Sequence, residues 1–344
     1  MADMTALIPL DLARRPKQLF QRVNKLVSTL TNAGIRVVVS HNDRCTRWDE
    51  KLKSAAKLLW GTNAILASGH LYDGLSNNAI LRNHGFGEIK TNFLLLLDAD
   101  IFPDTNLFFE LFNSVHELKE PFAMAPCLYL TNNGSNKIQR ENRPKELIEA
   151  YLNFQKQLTQ HLASPSSVMV LWSTDFADIG GFNEAYSGHS YEDFDFMIRL
   201  ALKKNVISFS QEMLVDKPYR APLLAEGFRA MLSPLCFNWI LKKKFALHLH
   251  HAKNRDEKYY SKRSDNSYLF NKKMRAMLDG NQENLSHKSP LWLANMFFET
   301  CYLYETDSSE FFALLDARPD FLDRGGRIWR STRRSLRIIR NFFS

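Results

Sequence analysis

The sequence predicts an α/β protein, with a mixed but mainly parallel sheet flanked by helices and a helical extension at its C-terminal end. The first supporting observation is an unbroken apolar run, Phe93–Leu97, that stops at the Asp-Ala-Asp of 98–100. A short apolar run ended by turn residues is typical of a strand that is buried on both faces of a parallel sheet. The second observation is a strand–helix–strand pattern in the first 40 residues.

This strand–helix–strand unit begins with an apolar segment at 5–12. Apolar residues at helical spacing then run through 17–31, Gly34 ends that helix, and a second apolar segment follows at 35–40. The usual right-handed crossover places the two strands side by side and parallel, with their C-terminal ends at the same edge. In open α/β sheets that edge is where ligands bind.

The chain continues this alternation to about residue 210. The spacing of apolar residues and the positions of turn residues predict each element. Helices are predicted at 50–60, 75–90, 105–118 and about 146–162, and strands at 64–68, 121–130, 166–173 and 206–210. The polar stretch 132–145 is predicted to be a mobile loop over the ligand-binding edge of the sheet.

Two carboxylates, Asp98 and Asp100, follow the central apolar strand. Their i, i+2 spacing suits a divalent cation that holds phosphate oxygens, although an ordinary acidic turn would have the same sequence. Arg82, one helix earlier, could reach a diphosphate, or it is a solvated arginine on a helix face. Asp43, at the end of the second strand, is a candidate for binding a base or ribose, with a turn residue as the alternative.

A second group of carboxylates follows a glycine pair. Gly180 and Gly181 permit a tight turn or a close approach to a ligand, and Glu192, Asp193 and Asp195 begin the next helix. The helix dipole favours acidic residues in a first turn, but three in four residues exceed what capping needs. One of them could be a general base that accepts a hydroxyl proton.

Three histidines, His248, His250 and His251, lie within four residues. On a short strand His248 and His250 would share one face, whereas an i, i+3 turn would bring His248 and His251 together. This density favours a metal or phosphate contact over a structural role, because imidazole can complete a coordination sphere that carboxylates begin.

The formal net charge of +8 is uneven, because arginine and lysine crowd the region after about residue 240. Residues 327–343 predict a basic amphipathic helix with an aromatic end, which is typical of a helix lying on an anionic membrane surface; the alternative is a terminal helix docked on the core. The apolar segment 221–244 predicts buried helix packing or a membrane-facing insertion. With no spanning apolar run and no leader, we expect a cytoplasmic protein, peripheral on the inner face of the cell membrane.

Taken in order, these pieces resemble the metal-dependent glycosyltransferases of the GT-A fold, a Rossmann-like α/β fold, and especially the bacterial family 2 enzymes of capsule and lipopolysaccharide synthesis. The set comprises the strand IPL, a strand ending near Asp43, Arg82 and Asn83 before the Asp-x-Asp motif, then GGFNEAYSGHSYEDFDF and HLHH. The GGF to EDFD segment is also similar to β-1,4-galactosyltransferases. The resemblance covers about residues 5–270. It implies a catalytic domain at 1–275, with a donor half at about 1–130 and an acceptor half at about 131–275, before a helical extension at 276–344.

The resemblance implies a donor site. Asp98 and Asp100 would hold a UDP-sugar through Mn²⁺ or Mg²⁺, with Asp100 as the direct metal ligand. His251, or His248 three residues earlier, would be the later metal ligand. The cation would offset the charge that develops on the leaving diphosphate.

The resemblance also implies an inverting reaction. Asp193 would be the general base that deprotonates an acceptor hydroxyl, Glu192 would help to bind the acceptor, and Asp43 and Arg82 would contact the nucleotide. The expected reaction moves a hexose or N-acetylhexosamine from a UDP-sugar to a bacterial surface glycan, such as capsule, O-antigen or lipooligosaccharide, that is lipid-linked.

Two positions depart from the galactosyltransferases, since His189 stands where they usually have tryptophan and Tyr191 where they have glycine. The acceptor and the transferred sugar therefore stay open. A sugar nucleotidyltransferase would need a glycine-rich phosphate loop after the first strand, and residues 8–16, IPLDLARRP, contain no glycine. A non-catalytic glycan- or nucleic-acid-binding protein leaves the carboxylate and histidine clusters unexplained, so nucleic acid is not an expected partner.

Overall fold

A six-stranded sheet forms the centre of the computed structural model, which describes residues 2–217, 220–252, 258–279 and 291–316. A three-stranded sheet and a two-stranded ribbon lie beside it. The strands are β1 (Met4–Leu10), β2 (Arg36–Asn42), β3 (Ala64–Gly69), β4 (Phe93–Leu96), β5 (Ala123–Met124), β6 (Cys127–Leu130), β7 (Thr159–Ala163), β8 (Met169–Trp172), β9 (Asp216–Lys217), β10 (Glu226–Gly227) and β11 (Ala246–His248).

The central sheet has the order β3-β2-β1-β4-β8-β5. Strands β3, β2, β1 and β4 are parallel, whereas β8 runs antiparallel to both β4 and β5. The smaller sheet has the order β11-β6-β7, with β11 parallel to β6. The central sheet is therefore mixed and mainly parallel, as the sequence predicts.

Helices cover both faces of the central sheet. Short 3₁₀ helices occur at Gln211–Leu214, Pro222–Leu224, Ser233–Cys236 and Ser308–Leu315. The α-helices are α1 (Pro16–Asn32), α2 (Arg47–Leu59), α3 (Asn78–Phe86), α4 (Thr105–His116), α5 (Asn132–Glu141), α6 (Pro144–Leu152), α7 (Ser173–Asp178), α8 (Glu192–Lys203), α9 (Phe228–Leu232), α10 (Phe237–Leu241), α11 (Lys258–Ser261), α12 (Arg263–Asp279) and α13 (Trp292–Leu303).

The alternation of side chains along β1 explains the two apolar cores. Ala6 and Ile8 lie in the core that includes residues of α1 and α4, whereas Leu7 between them lies in the core that includes residues of α8 and α13. All three residues are fully buried. A strand covered on both faces must be apolar at successive positions, which is why β1 and β4 are nearly continuous apolar runs.

Helix α3 packs unusually close to the sheet because it carries Gly85. A Cβ atom at this position would lie 2.6 Å from Leu7 Cδ1 and 2.8 Å from Ser40 Cβ, on β1 and β2. The close approach brings Arg82, one turn earlier on α3, against the end of β4. This packing positions the arginine of the site.

Four predicted elements differ from the structure. The polar stretch 132–145 is not a loop: α5 and the start of α6 occupy it. Thr131 caps α5 by accepting a hydrogen bond from the Gly134 amide, and Ile138 anchors the helix in the core. The helix predicted at 146–162 ends at Leu152, and β7 follows it. No strand forms at 206–210, and 121–130 contains two short strands in place of one.

The apolar segment 221–244 is buried packing. Its aromatic residues Phe228, Phe237 and Trp239 are all less than 5% exposed. Phe297 of α13 packs edge-on against Phe237, so the described part of the C-terminal extension joins the same core. Within the described residues, no helix is both long enough and apolar enough to span a bilayer. The predicted amphipathic helix at 327–343 lies outside the described residues.

Candidate active site

The C-terminal ends of the central strands open into a cleft of about 700 Å³. The carboxylates of Asp98 and Asp100 line it from the segment that follows β4, and Glu192 and Asp193 line it from the start of α8. The sequence predicted both groups separately, and the structure brings them to one cavity.

Arg82 links the two carboxylate groups. Its Nη2 donates to Asp98 Oδ1 at 2.8 Å, and its Nη1 donates to Asp193 Oδ1 at 2.7 Å. The arginine is 1% exposed, and its guanidinium lies over the ring of Phe182. The sequence suggested that Arg82 reaches a diphosphate; the structure places it behind the carboxylates, where it fixes their separation.

Asp100 forms a second centre with two histidines. One ligand atom each from Asp100, His248 and His251 lies within 4.8 Å of the others. Main-chain hydrogen bonds hold the two segments together, because the Leu249 amide donates to the Asp100 carbonyl at 2.8 Å and the Phe102 amide to the Leu247 carbonyl at 2.8 Å.

Of the two geometries considered for the histidines, the one that pairs His248 with His251 occurs. His248 is 8% exposed and stacks on Tyr129, with 4.2 Å between ring centroids. Asp98, predicted as a further metal ligand, is not part of this group and faces Arg82.

Two arginines that the sequence analysis did not select contact Asp100. Arg15 Nη2 lies 2.9 Å from Asp100 Oδ2, and Arg22 Nη1 donates to Asp100 Oδ1. Burial raises the pKa of Asp100, but His248, Arg15 and Arg22 together hold this pKa below its usual value. Arg14 and Arg15 directly follow the first predicted strand. The positive charge directly after that strand was the available signal.

The donor atoms at Asp100 fit a divalent cation. One carboxylate and two imidazoles form a mixed oxygen and nitrogen set, which suits Mn²⁺ better than Mg²⁺, because Mg²⁺ prefers oxygen ligands alone. Three protein ligands leave coordination positions for phosphate oxygens. Arg15 and Arg22 would then share or release Asp100, and the guanidinium group of Arg15, which lines the cleft, would lie beside the same phosphates.

The three acidic residues at the start of α8 have different surroundings. Asp195 is fully buried and paired with Arg199 and Lys273, so its role is structural. Glu192 is 6% exposed, and burial with the nearby Asp193 carboxylate raises the pKa of Glu192 to about 8. A carboxyl group with this pKa is largely protonated at neutral pH, so Glu192 is a hydrogen-bond donor there.

Asp98 also has a perturbed carboxyl group. Burial raises the pKa of Asp98 to about 6; Arg82 opposes this change, and the Asp193 carboxylate adds to it. The side chain of Asp193 is 27% exposed and that of Asp98 33%. Among the carboxylates of α8, Asp193 is thus the one that both lines the cleft and is hydrogen-bonded to the Arg82 guanidinium group.

Asp43 lies apart from this cleft. Its carboxylate pairs with Lys53 Nζ at 2.9 Å and accepts a hydrogen bond from the Cys45 amide. The hydrogen bond from Lys53 is the main cause of the lowered pKa of Asp43. Within the described residues, Asp43 is not among those that line the cleft.

The glycine pair is positioned by Asn83. Gly181 has φ +65°, and a Cβ atom there would lie 2.5 Å from Asn83 Oδ1. Asn83 also accepts a hydrogen bond from the Phe182 amide and donates to the Phe182 carbonyl, both at 2.8 Å. The glycine at 181 therefore permits the backbone to approach Asn83 of α3 closely.

The segment before α8, residues 187–191, has a strained backbone. Ser190 and Tyr191 have φ values of 79° and 80°, which residues other than glycine rarely adopt. Asn266 of α12 stabilises the segment, because its Nδ2 donates to the carbonyls of Ser187, His189 and Ser190 at 3.0 to 3.2 Å. Strain held in this way is common at ligand sites.

Replacing Asn266 with alanine should loosen residues 187–191. The change leaves carbonyl groups without their donor, which typically costs about 1–3 kcal/mol, so local hydrogen exchange at the amides of Gly188 and His189 should be about tenfold faster or more. Asn271→Ala on the same helix is the control, because Asn271 Nδ2 donates to the Ser267 carbonyl of its own helix. Equal exchange in the two variants would contradict this role for Asn266.

Comparisons with known proteins identify the family. The sequence profile of glycosyltransferase-like family 2 matches residues 47–276, about two thirds of the chain. No curated protein matches the sequence.

Solved structures with similar folds are distant in sequence. Mannosyl-3-phosphoglycerate synthase from Rubrobacter xylanophilus is 13% identical, with 83% of this chain and 77% of that chain covered and a TM-score of 0.42. A fragment of S. aureus TarS is 13% identical over 57% of this chain and 55% of that chain, with a TM-score of 0.36. The catalytic domain of Drosophila β1,4-galactosyltransferase 7, in complex with xylobiose, is 16% identical over 57% and 59%, with a TM-score of 0.30.

The match thus spans somewhat more than half of the TarS fragment and of the galactosyltransferase chain. The profile match covers α2 to α12 and includes both carboxylate groups and the histidines of the cleft. The chain therefore belongs to glycosyltransferase-like family 2 and has the GT-A fold.

Proposed function

We propose that the protein is a metal-dependent inverting glycosyltransferase that moves a hexose or N-acetylhexosamine from a UDP-sugar to a hydroxyl group of a glycan. The main support is that the cleft contains two separate groups of charged residues. Asp100 lies with two histidines and two arginines, whereas Asp193 lies across Arg82 from Asp98. The group around Asp100 suits a diphosphate with its cation, and Asp193 in the other group is suited to accept a proton.

The donor would bind at the Asp100 centre. Asp100, His248 and His251 would hold the cation, and the cation would supply positive charge to the diphosphate as it leaves. Arg15, which lines the cleft, would contact phosphate oxygens, because the planar guanidinium group donates two parallel hydrogen bonds to such oxygens. Asp98, held by Arg82, would lie next to the transferred sugar and orient it.

The acceptor would be activated at Asp193. Its carboxylate would take the proton of the acceptor hydroxyl, the hydroxyl oxygen would form a bond to the anomeric carbon, and the bond from that carbon to the diphosphate would break. Arg82 holds Asp193 in place throughout. Glu192, protonated at neutral pH, would donate a hydrogen bond to the acceptor. Attack opposite to the leaving diphosphate inverts the anomeric carbon.

The acceptor class and the location belong to the same proposal. A lipid-linked glycan of the bacterial surface, such as capsule, O-antigen or lipooligosaccharide, is the acceptor that the bacterial family 2 resemblance suggests. The basic stretch 327–343 would bring the enzyme to the anionic inner face of the cell membrane.

Removing the Asp100 carboxylate tests the donor site. Asp100→Ala should weaken metal-dependent UDP-sugar binding by about 100-fold or more, because changes beside a metal ligand alone typically cost 10- to 100-fold. The measurement is UDP release from a panel of UDP-sugars with Mn²⁺, together with Mn²⁺ titration by calorimetry without any sugar. Asp178→Ala is the matched control, since Asp178 is exposed on α7, outside the cleft.

The outcomes separate the proposal from its alternatives. A single donor that gives UDP with Asp178→Ala but not with Asp100→Ala supports the proposal and names the donor. Unchanged Mn²⁺ affinity in Asp100→Ala would exclude Asp100 as a metal ligand. If no UDP-sugar binds or turns over with Mn²⁺ or Mg²⁺, the UDP-sugar donor is excluded.

A further inference from the structure

One wall of the cleft is built from arginines that surround a single carboxylate. Arg229 Nε donates to Asp216 Oδ1 at 2.5 Å, and Arg263 Nη2 lies 3.7 Å from Asp216 Oδ2. Two guanidinium groups thus share one carboxylate, which leaves a net positive charge. We call Arg220, Arg229 and Arg263 the arginine wall, since all three line the cleft.

Asp216 lies behind this wall. Its side chain is 14% exposed, and within the described residues it is not among those that line the cleft. The side chain of Arg263, in contrast, is 45% exposed, and Arg220 is exposed as well. A ligand in the cleft therefore meets the guanidinium groups, while the Asp216 carboxylate, which contacts Arg229 and Arg263, is screened from it. This wall of the cleft carries positive charge, which attracts anionic ligands.

The arginine wall is anchored on the residues that flank Glu192 and Asp193. Tyr191 Oη donates to Asp216 Oδ2 at 2.7 Å, and the guanidinium carbon of Arg229 lies 4.2 Å from the centroid of the Phe194 ring. Tyr191 and Phe194 are the chain neighbours of the acidic pair on either side. The wall is thus tied to the proton-accepting end of the cleft, and the Asp100 centre has its own arginines, Arg15 and Arg22.

We propose that the arginine wall binds an anionic group of the acceptor, a phosphate or a carboxylate, while Asp193 accepts the proton of a hydroxyl group on the same molecule. This inference depends on the proposed function, because it assigns the acceptor to the Asp193 end of the cleft. Guanidinium groups that are already oriented by Asp216 and Phe194 bind oxyanions with little loss of side-chain entropy. The acceptor class is then a phosphorylated or carboxylated sugar or polyol.

A binding comparison tests the inference without turnover. The full chain is saturated with UDP and Mn²⁺ to occupy the donor site, and glucose, glucose 6-phosphate and glucuronate are titrated into it by calorimetry. The anionic probes should bind about tenfold tighter than glucose or more, as expected for charge-assisted hydrogen bonds. The better of the two anions identifies phosphate or carboxylate as the group that the wall prefers.

Matched arginine variants locate the binding. Arg263→Gln should reduce the preference for the anion about tenfold. Arg275→Gln, an exposed arginine of the same helix, should leave it unchanged. Both variants are at exposed positions, so folding is preserved, and thermal unfolding confirms it.

Three outcomes would overturn the inference. Equal binding of glucose and the two anions excludes an anionic subsite, and an unchanged preference in Arg263→Gln places the anion elsewhere. Anion binding that occurs without UDP but not in the UDP-saturated chain assigns the anion to the diphosphate site. If anions bind at the wall but no UDP-sugar is consumed, the proposed function fails separately and the bound anion is not a glycosyl acceptor.

Discussion

Asp193→Asn is expected to slow glycosyl transfer about 10²- to 10⁴-fold, the usual contribution of a general base. Asparagine keeps an oxygen that can accept the hydrogen bond from Arg82 Nη1, now 2.7 Å from the carboxylate, so the site should keep its shape. Donor binding, which the proposed function assigns to the Asp100 centre, should change about twofold at most. The measurements are kcat for transfer to an acceptor and the Kd for the UDP-sugar.

Glu192→Gln is the matched control for this prediction. Because the pKa of Glu192 is raised to about 8, its carboxyl group is mainly neutral at pH 7, and glutamine is its uncharged analogue. The kcat of this variant should therefore stay within about tenfold of the unmodified enzyme. A larger loss of kcat in Glu192→Gln than in Asp193→Asn would make Glu192 the base.

Arg82→Met is expected to lower the free energy of unfolding by about 3–5 kcal/mol, the typical cost of removing one partner from a buried ion pair. Methionine fills much of the space but leaves Asp98 and Asp193 without the cation between them. Protonating Asp98 relieves the repulsion between the two side chains, so the loss should be smallest at acidic pH and grow as the pH rises through about 6, where the pKa of Asp98 lies in the presence of Arg82. Urea unfolding at pH 5 and pH 8 measures both effects.

Two further variants make the Arg82 prediction specific. Arg82→Lys keeps the positive charge, but one ammonium group cannot donate to both carboxylates as the two nitrogens of the guanidinium group do. The free energy of unfolding of Arg82→Lys should therefore lie between those of the unmodified protein and Arg82→Met. Arg36→Met, at an exposed position on β2, should change the free energy of unfolding by about 0.5 kcal/mol at most. A loss of less than about 1 kcal/mol in Arg82→Met would show that the bridge is not structural.

The parts of the fold that sequence predicts well are those where one physical constraint dominates. Strand β4 is a buried apolar run, and β1, α1 and β2 show the apolar spacing that burial requires, so these elements were predicted within a few residues. Helix α5 was missed because it is polar and contains Gly134. It depends on the Thr131 cap and on the burial of Ile138, which only the folded chain provides.

The site was predictable to the extent that its chemistry lies within short motifs. Asp98, Asp100, Glu192 and Asp193 all line the cleft. The partners of these residues were not predictable, because Arg15 comes from a segment more than 80 residues away from Asp100. Local sequence records which side chains are available, but long-range packing decides which of them pair.

The Arg82 bridge has a consequence for how this enzyme can diversify. From α3 it hydrogen-bonds to both Asp98 and Asp193, which the proposed function assigns to the donor and acceptor sides of the cleft. Arg229 and Arg263 of the arginine wall lie on α9 and α12, and Asn266 of α12 holds residues 187–191. Substitutions in these outer elements can therefore exchange one acceptor for another while the reacting atoms keep their alignment, so new linkages can evolve on an unchanged catalytic frame.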